Sequence, residues 1–448
     1  MKALIVGAGI GGLTAALACH QRGIDCEIYE QSDEVSELGV GINILPNAIR
    51  ELSGLGLLDQ LDQVGVRTYE LFYLNRRGQE VWYELRGTDA GLDVPQFSIH
   101  RGHLQGVLYR AVRERLGDGA VRTGRRLVRF DEQAGRVAAV FADRSGREET
   151  RAEGDVLIGA DGIRSAVRAT LNPDEGDPLW NGVVLWRGTR DWPVFLTGRT
   201  MLLAGGMAGK VIIYPIGPGA TPATRLTNWA VMARPERRTD RWLGDWSRVG
   251  NWAELRPIVE TFHVGQVDLL AMVGEAPVFY EYPLCDRDPL SRWTHGRITL
   301  LGDAAHPMYP VGSNGGTQAI IDGRRLADLL AEHGAEAGLA AYDAERVPVT
   351  TAIVQANRSG GPEGVIDAVD KLAPDGFDDI ETVLPYAERE RIVRGYAKTA
   401  GFAAPAGASA AGQRDEKELP STPGTPATPA CSAGPSTAGP RALDARVR

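Results

Sequence analysis

The sequence predicts an α/β fold in which a parallel sheet with flanking helices carries an inserted, mostly antiparallel sheet and is followed by C-terminal helices. Residues 3–30 follow the order strand, glycine-rich turn, helix, strand, which is typical of a nucleotide-binding α/β unit. Two more short apolar strands, 155–158 and 298–301, each end in a motif of glycine and aspartate. Between residues 179 and 286, strand-like segments follow one another with no helical pattern between them, which favours an antiparallel sheet.

Composition limits the classes of partner. The chain has 448 residues, 43% of them hydrophobic, and a net charge of −9, so it exceeds one typical domain. The negative charge argues against nucleic acid or an anionic membrane as a partner. The four cysteines show no metal-ligand spacing, and we predict reduced thiols, no metal and a cytoplasmic protein. No apolar run reaches the length of a membrane-spanning helix.

Changes of pattern along the chain predict the domain boundaries. The last segment is rich in Pro, Ala, Gly, Ser and Thr and cannot bury enough apolar surface to fold, so we predict disorder there. The predicted units are 1–178 (first part of the nucleotide-binding domain, with a small strand insertion near 69–95), 179–286 (substrate-binding sheet), 287–358 (second part of the nucleotide-binding domain), 359–402 (helices broken near Pro374 and Pro385) and 403–448 (disordered tail).

The first motif, GAGIGG at residues 7–12, has the spacing GxGxxG between a strand and a helix. Its first glycine permits a tight turn, its second lets the backbone approach a pyrophosphate, and its third lets helix and strand pack closely. The predicted cofactor contacts here are Gly7, Gly9, Ile10, Gly11 and Gly12. Glu30 ends the next strand, where a carboxylate can accept hydrogen bonds from ribose hydroxyls. This motif alone does not separate FAD from NAD.

The motif at Gly302-Asp303 favours a flavin. Asp303 follows an apolar strand, and the chain then runs through two prolines into the glycine-rich segment 312–316 and a new helix. A second glycine-rich helix start has a clear use beside a flavin, because backbone N–H groups and the helix dipole stabilise the negative charge of the reduced ring. Taken alone, Asp303 also fits a helix-capping aspartate.

The third motif, GADGIRS at residues 159–165, follows another apolar strand. Asp161 and the glycines predict a tight turn into a helix, and we include Asp161 among the cofactor-binding candidates. Arg164 and Arg168 are candidates for contacts with cofactor phosphates or nicotinamide. The alternative, a turn with two solvated arginines, stays open at this point.

Together these three motifs resemble those of the single-component FAD-dependent aromatic monooxygenases (group A), which include salicylate and p-hydroxybenzoate hydroxylases. The resemblance spans residues 1–358 and implies a p-hydroxybenzoate hydroxylase-like fold: a Rossmann-like FAD-binding domain, an inserted substrate sheet and C-terminal helices. Local similarity to the phenazine monooxygenases of pyocyanin biosynthesis lies in the segments 39–49, 95–105, 186–188, 282–290 and 308–316.

The resemblance also implies residue roles. Arg101 would contact the cofactor phosphates or ribityl chain, and the segment 39–43, with Gly41, would lie along the flavin ring. The residues expected to border the reactive face of the ring are Pro310, Gly312 and Gly315, and the catalytic candidates there are Pro310, Gly312 and Asn314. Family members commonly carry a Gly-Gln-Gly-like loop where this chain reads Gly312-Ser313-Asn314-Gly315, which leaves open how the flavin edge is hydrogen-bonded.

The implied reaction uses NAD(P)H as a transient co-substrate to reduce bound FAD. Oxygen then adds to give a C4a-hydroperoxyflavin, which hydroxylates an aromatic or phenazine-type carboxylate with or without loss of the carboxyl group. The predicted pocket lies between the flavin and the antiparallel sheet, with Trp186, Arg187 and Tyr214 as substrate contacts. Core aromatics with a structural arginine are the alternative for these three.

Other functions remain open from the sequence. One is an FAD-dependent dehydrogenase or oxidase of an aromatic natural-product intermediate, and another is a non-catalytic flavin-binding protein. A flavin halogenase is disfavoured because the chain has no Trp-x-Trp-x-Ile run. No general base is evident, and His306 is predicted to be structural. We expect a small aromatic substrate and O2 as partners, no nucleic acid, no membrane, and a monomer or homodimer.

Overall fold

The computed structural model describes residues 1–35, 39–147, 149–235, 248–276 and 278–403. These residues all belong to one compact unit that spans residues 1–413. The predicted disordered tail, 403–448, lies outside the described residues except for residue 403. In the described part of the chain, no helix combines the length and the apolar character that crossing a bilayer requires.

Helices follow the first and the third strand, and long runs of consecutive strands cover residues 121–159 and 179–233. In chain order they are β1 (Lys2–Val6), β2 (Asp25–Tyr29), β3 (Gly41–Ile44), β4 (Gly65–Arg67), β5 (Glu70–Leu74), β6 (Glu80–Leu85), β7 (Phe97–His100), β8 (Val121–Arg122), β9 (Arg126–Gln133), β10 (Arg136–Ala142), β11 (Glu149–Gly154), β12 (Val156–Gly159), β13 (Leu179–Pro193), β14 (Thr200–Ala204), β15 (Gly209–Pro218), β16 (Thr224–Ala233), β17 (Tyr280–Asp286) and β18 (Ile298–Leu300).

The longest helices lie after the last strand. In chain order the α-helices are α1 (Ile10–Gln21), α2 (Pro46–Gly54), α3 (Leu58–Val64), α4 (Arg101–Leu116), α5 (Ala166–Leu171), α6 (Trp252–Val259), α7 (Leu269–Gly274), α8 (Asn314–His333), α9 (Ala335–Arg358), α10 (Gly364–Leu372), α11 (Ile380–Val383) and α12 (Tyr386–Thr399). Short 3₁₀ turns cover Gly87–Ala90, Asp118–Ala120, Gly302–Ala304 and Gly361–Glu363. The predicted breaks near Pro374 and Pro385 are confirmed.

The parallel sheet has the strand order β18-β12-β1-β2-β8. Strands β1, β12 and β18 are short and almost wholly apolar, as expected of strands covered on both faces. The carboxyl ends of β1, β12 and β18 therefore meet at one edge, and each delivers one of the three sequence motifs there. Helix α1 is rich in alanine and glycine, which lets α8 approach it closely: a Cβ on Gly323 of α8 would lie 2.8 Å from the Ala15 nitrogen.

The second large sheet has seven strands in the order β17-β13-β16-β15-β14-β5-β6. From the sequence, the strands near residues 69–95 were predicted to be a small insertion in the first domain. The structure instead pairs β5 with β14 in parallel and β6 with β5 antiparallel, so this insertion completes the substrate sheet. The pairing follows from burial, because all five residues of β5 are buried between neighbouring strands.

Two three-stranded sheets complete the fold, with the orders β3-β7-β4 and β11-β10-β9. The sequence patterns did not predict the second of them. Its middle strand β10 is mostly buried, and Phe141 stacks on Tyr29 of the parallel sheet with ring centroids 3.8 Å apart. Its outer strands carry many charged residues, which masks the strand pattern.

Candidate functional site

A single cavity of about 350 Å³ lies between the carboxyl edge of the parallel sheet and one face of the seven-stranded sheet. Of the predicted site residues, those that line it are Gly9, Ile10, Gly11, Gly41, Arg101, Arg187, Tyr214, Asp303, Pro310, Gly312 and Gly315. Those outside its lining are Gly7, Gly12, Glu30, Asp161, Trp186 and Asn314.

The glycines of the first motif divide into two kinds. Gly7 has φ +106°, and a Cβ there would lie 2.4 Å from the Ala160 carbonyl oxygen, while a Cβ on Gly12 would lie 2.1 Å from the Gly7 carbonyl oxygen. These two glycines keep the turn close to its neighbours. Gly9, in contrast, lines the cavity, and a Cβ there would meet nothing within 4 Å. Its missing side chain leaves room for a ligand.

Helix α1 begins at the cavity without a side-chain cap. Its N-cap is Gly9, and its first turn holds no acidic residue. The N–H groups of the first turn of a helix have no intrahelical partner, and together with the helix dipole they favour a bound anion. This end of the cavity therefore fits a pyrophosphate.

Glu30 lies at the same edge of the parallel sheet, directly after β2. Its carboxylate accepts hydrogen bonds from the Ala8 N–H at 2.8 Å and the Ser32 N–H at 2.9 Å. A carboxylate has about four acceptor sites, so two remain for ribose hydroxyls. Because β1 and β12 separate β2 from β18, Glu30 and Asp303 lie about three strand spacings apart, roughly 14 Å. Both lie along one sheet edge.

Helix α8 also begins at the cavity, and its start is uncapped too. Its N-cap Ser313 has a left-handed backbone (φ 60°) and makes no capping bond, and its first turn carries no acidic side chain. Ser313, Gly315 and Gly316 line the cavity. Two free helix N-termini thus face one space, as a ligand with a pyrophosphate at one end and a ring that gains negative charge at the other requires. The residues present fit FAD.

A buried ion network fixes the loop that carries Asp303. Asp322 of α8, fully buried, accepts from the Gly302 N–H at 3.1 Å, from His306 Nε2 at 2.5 Å and from Arg346 Nε at 2.8 Å. Burial by itself would raise the pKa of Asp322, but His306 and Arg346 lower it below its usual value. His306 therefore holds the loop, while Asp303 is exposed to the cavity.

Two expectations about the motif at residues 159–165 are corrected. Asp161 caps α5, accepting from Ser165 Oγ at 2.5 Å and from the Ala166 N–H at 2.7 Å, so its carboxylate is used within the protein. Arg168 is buried; it pairs with Glu175 and donates to the carbonyl oxygen of Ala305 at 2.7 Å. Both side chains are thus engaged by protein groups, and neither lines the cavity. Gly162 and Ala160 line the cavity in their place.

Asn314 also points away from the cavity. Its Nδ2 donates to the Gly312 carbonyl at 3.0 Å and to the Tyr396 hydroxyl at 2.8 Å, and its Oδ1 accepts from Gln318 at 3.0 Å. The expected catalytic role is therefore replaced by a positioning one. Tyr396 of α12 approaches the same loop so closely that a Cβ on Gly312 would lie 2.4 Å from its hydroxyl oxygen.

The wall formed by the seven-stranded sheet presents a buried cation. Arg187 donates through Nη2 to the Gly41 carbonyl, and its Nε is buried with no hydrogen-bond partner. No carboxylate of the described residues forms an ion pair with it. Burial lowers the pKa of Arg187, with Tyr214 acting in the opposite direction, and burial raises the pKa of Tyr214. A guanidinium without a counter-ion beside an apolar cavity favours an anionic ligand.

Trp186 does not reach the cavity, contrary to expectation. Successive side chains of a strand point to opposite faces, so Leu185 and Arg187 face the cavity while Trp186 packs in the core on the other side, near α6 and α7. Its Nε1 donates to Glu281 at 3.1 Å. The correct aromatic wall residue from this sheet is Tyr214, together with Tyr73 of β5.

Several residues at or beside the cavity were not identified from the sequence. Asn228 of β16 lies next to the lining residue Gly41: it accepts from the Gly41 N–H at 2.8 Å and has a buried Nδ2 with no partner. Glu363 and Pro362, in the 3₁₀ turn after α9, line the cavity as well. Arg86 reaches it from the end of β6. No local motif marks these residues; only the alternation of side chains on a sheet of known order identifies Asn228.

Comparison with known proteins finds a matching family and similar enzymes. Residues 1–357 match the family model described as FAD binding domain. The chain is 42% identical over 360 residues to phenazine 1,6-dicarboxylic acid hydroxylase PhzS of Lysobacter antibioticus, which covers 79% of this chain and 88% of that protein. It is 30% identical to salicylate hydroxylase of Pseudomonas putida, over 78% of this chain and 82% of that protein.

A solved structure shares the fold. The complex of Klebsiella pneumoniae HpxO with FAD and uric acid superposes with a TM-score of 0.68 at 24% sequence identity, and covers 90% of this chain and 97% of that one. At this identity the likeness speaks for the fold alone. It confirms the predicted combination of a Rossmann-like domain with an antiparallel substrate sheet.

Proposed function

The chain belongs to the FAD-binding family of aromatic hydroxylases, and from this premise we propose that it hydroxylates an aromatic carboxylate, with NAD(P)H as reductant and O2 as oxidant. The observation that carries the substrate class is Arg187, a buried guanidinium without a carboxylate partner at the wall of the cavity. Phenazine-type carboxylates are the first candidates, since the relative at 42% identity is named for one.

Binding of the substrate carboxylate to Arg187 would explain why the protein keeps this cation buried. An isolated buried charge is costly, and a bidentate pair with a carboxylate offsets that cost while fixing the plane of the substrate. Apolar side chains of the sheet complete the wall and hold an aromatic ring away from water; they are Leu185, Met201, Leu203, Ile212 and Met232. The ring would lie flat against this wall.

On the opposite side of the cavity, backbone groups would make the polar contacts with the cofactor. The start of α1 would hold the pyrophosphate of FAD and the start of α8 would stabilise negative charge on its ring. When bound, FAD supplies hydride acceptance and the transfer of one oxygen atom to the substrate. Pro310, Gly312 and Gly315 would border the space between ring and substrate. Their contribution is shape and exclusion of water, since none carries a titratable group.

The test is a screen of aromatic carboxylates, including phenazine-1,6-dicarboxylate and salicylate, for stimulation of NAD(P)H consumption by the FAD-loaded protein. We expect at least one to stimulate consumption and to yield a product heavier by one oxygen atom, or one in which hydroxyl replaces carboxyl. Hydrogen peroxide with unchanged substrate would instead indicate an oxidase. No stimulation by any aromatic carboxylate would contradict the proposal.

We further propose that the protein works in the cytoplasm, where NAD(P)H is available, as a monomer or homodimer. The net charge of −9 favours solubility. Sedimentation of the FAD-loaded protein distinguishes the two assembly states.

A further inference from the structure

A buried ion pair lies at the end of the cavity remote from Arg187. Lys210 of β15 and Glu363 of the 3₁₀ turn after α9 contact each other, and both side chains are almost fully buried, with 1% and 3% exposed. Lys210 lies on the same face of β15 as Ile212 and Tyr214, which line the cavity. Glu363 also lines the cavity. The pair therefore belongs to the same space as Arg187.

The register of the sheet gives the separation. Arg187 lies opposite Ala230, which lies opposite Ile212, and Lys210 is two residues before Ile212. Two strand spacings across and two residues along place the Cα atoms of Arg187 and Lys210 roughly 12 Å apart. A ligand anchored at Arg187 by its carboxylate would thus extend its far edge toward Glu363.

The two oxygens of Glu363 differ. Oε2 is held by Lys210, whereas Oε1 receives one long contact, 3.5 Å, from the Gly312 N–H. A carboxylate oxygen accepts up to two hydrogen bonds, so Oε1 retains acceptor capacity toward the cavity. Gly312 belongs to the loop that borders the expected flavin, which puts this acceptor near the reacting region.

Stability does not explain the pair. Replacing a buried ion pair by apolar side chains of similar size is often neutral or stabilising. Met232, Val365 and Ile366 are buried nearby on the flanking elements, and Asp367 is a second acidic group that interacts with Lys210. A charged acceptor kept at the edge of an apolar cavity is instead the usual means of rejecting ligands that lack a matching donor.

We propose that Glu363, held by Lys210, accepts a hydrogen bond from a hydroxyl or amino group on the substrate ring, at the end opposite the carboxylate. This inference rests on the proposed function and narrows its substrate class to aromatic carboxylates with a distal hydrogen-bond donor. A donor that is hydrogen-bonded to a carboxylate releases electron density into its ring, and an electron-rich ring is what oxygen transfer to carbon requires. Glu363 thus selects the substrate and activates it.

The experiment uses ligand pairs that differ by one hydroxyl: 6-hydroxy-2-naphthoate with 2-naphthoate, and 3-hydroxybenzoate with benzoate. Dissociation constants are read from the visible spectrum of bound flavin in the FAD-loaded protein. We expect the hydroxylated member of at least one pair to bind about 10- to 100-fold more tightly, the range of one hydrogen bond to a charged group.

The decisive variant is the double substitution Lys210→Met with Glu363→Met, which removes the acceptor together with the lysine that pairs with it. Asp367, which also interacts with Lys210, keeps its hydrogen bond from the Met207 N–H at 2.9 Å. It should bind 2-naphthoate or benzoate within about threefold of wild type and lose the preference for the hydroxyl. Glu363→Gln keeps an acceptor oxygen but no charge and should reduce the preference about fivefold. The control Glu388→Gln, on the exposed start of α12, should leave the preference unchanged.

The outcomes separate this inference from the proposed function. Carboxylates that bind without preference for the hydroxyl, or a preference that survives in the double variant, would overturn the role of Glu363 and leave the proposed function standing. Failure of every aromatic carboxylate to bind the wild-type protein would overturn both. A general loss of structure would reduce the affinity for both members of each pair alike, so the ratio of their dissociation constants remains informative.

Discussion

The two walls of the cavity are built from different parts of the chain. The wall at the parallel sheet consists mainly of backbone: two helix starts and several glycines, with N–H groups and the Asp303 carboxylate among its polar groups. The wall at the seven-stranded sheet consists of side chains, with Arg187 and Tyr214 among its polar groups, and Glu363 of the 3₁₀ turn after α9 lies at its end. A backbone wall suits a cofactor common to a whole family, whereas a side-chain wall can change with the substrate.

The largest expected effect tests the backbone wall. Gly9→Ala adds a methyl group that meets no protein atom within 4 Å, so the fold should keep its stability. The methyl group would occupy the space of the pyrophosphate, and loss of two charge-assisted bonds should weaken FAD binding by about 1000-fold. The measurement is flavin content together with the thermal unfolding midpoint.

Gly119→Ala is the matched control, because Gly119 is exposed and a Cβ there also meets nothing within 4 Å. It should retain flavin fully. Normal FAD affinity in Gly9→Ala would show that no phosphate lies against this turn. It would contradict the assignment of the backbone wall to the cofactor.

The second prediction concerns the side-chain wall. Arg187→Met keeps the length of an apolar side chain but removes the cation, so KM for the aromatic carboxylate should rise about 100-fold while flavin content stays normal. Because the guanidinium is buried without a carboxylate partner, its removal should leave the free energy of unfolding unchanged or raise it.

Arg190→Met serves as the control for this substitution. Arg190 lies on the same strand but points to the other face, where it donates to the Ala271 carbonyl at 2.6 Å and pairs with Glu275. An equal rise in KM in both variants would mean that Arg187 acts through the strand and not through the ligand.

The third prediction separates the cavity face of the sheet from its core face. Trp186→Phe should leave KM within about twofold, because Trp186 packs away from the cavity. It should lower the free energy of unfolding by about 1–2 kcal/mol, because the buried Glu281 loses a hydrogen bond. Urea unfolding and steady-state kinetics measure the two quantities, and a large change in KM with normal stability would refute the assignment of faces.

The sequence predicted the residues of the backbone wall better than those of the side-chain wall. The glycine motifs, Glu30 and Asp303 were predicted because tight turns and helix starts need specific residue types at fixed spacing. Arg187 was predicted through the family resemblance, but its neighbour Trp186 was assigned to the wrong face, since the local sequence does not tell which side of a strand faces a ligand. Glu363 was missed because it follows a long helix and no spacing rule connects it with the sheet.

The fold, like the site, was predicted only in part. Four strands of the parallel sheet, β1, β2, β12 and β18, and their motifs were predicted within one or two residues, because short apolar strands and a glycine-rich turn are strong local signals. The two-residue strand β8 was not predicted. The placement of β5 and β6 in the substrate sheet was not, because a parallel pair between residues 70 and 200 depends on contacts far apart in the chain.

The smallest expected effect concerns pH and the backbone wall. Asp322 has a pKa below its usual value in the folded protein. Its contribution to stability is therefore complete above about pH 4, the usual pKa of an aspartate in an unfolded chain. This contribution is lost as the pH falls through the lower pKa of the folded protein. The unfolding midpoint of the wild type should therefore fall more steeply below pH 4 than that of Asp322→Asn. Parallel curves for the two proteins would contradict the role of this network.

The central claim is that both walls enclose one space, with the flavin ring against the substrate. The most direct measurement is a titration of the FAD-loaded protein with an aromatic carboxylate, followed in the visible flavin spectrum. We predict a saturable spectral change in the wild type that is absent, at the same ligand concentrations, in Arg187→Met with full flavin content. A spectrum that stays unchanged in the wild type while the carboxylate is hydroxylated, or an identical change in both proteins, would contradict the account.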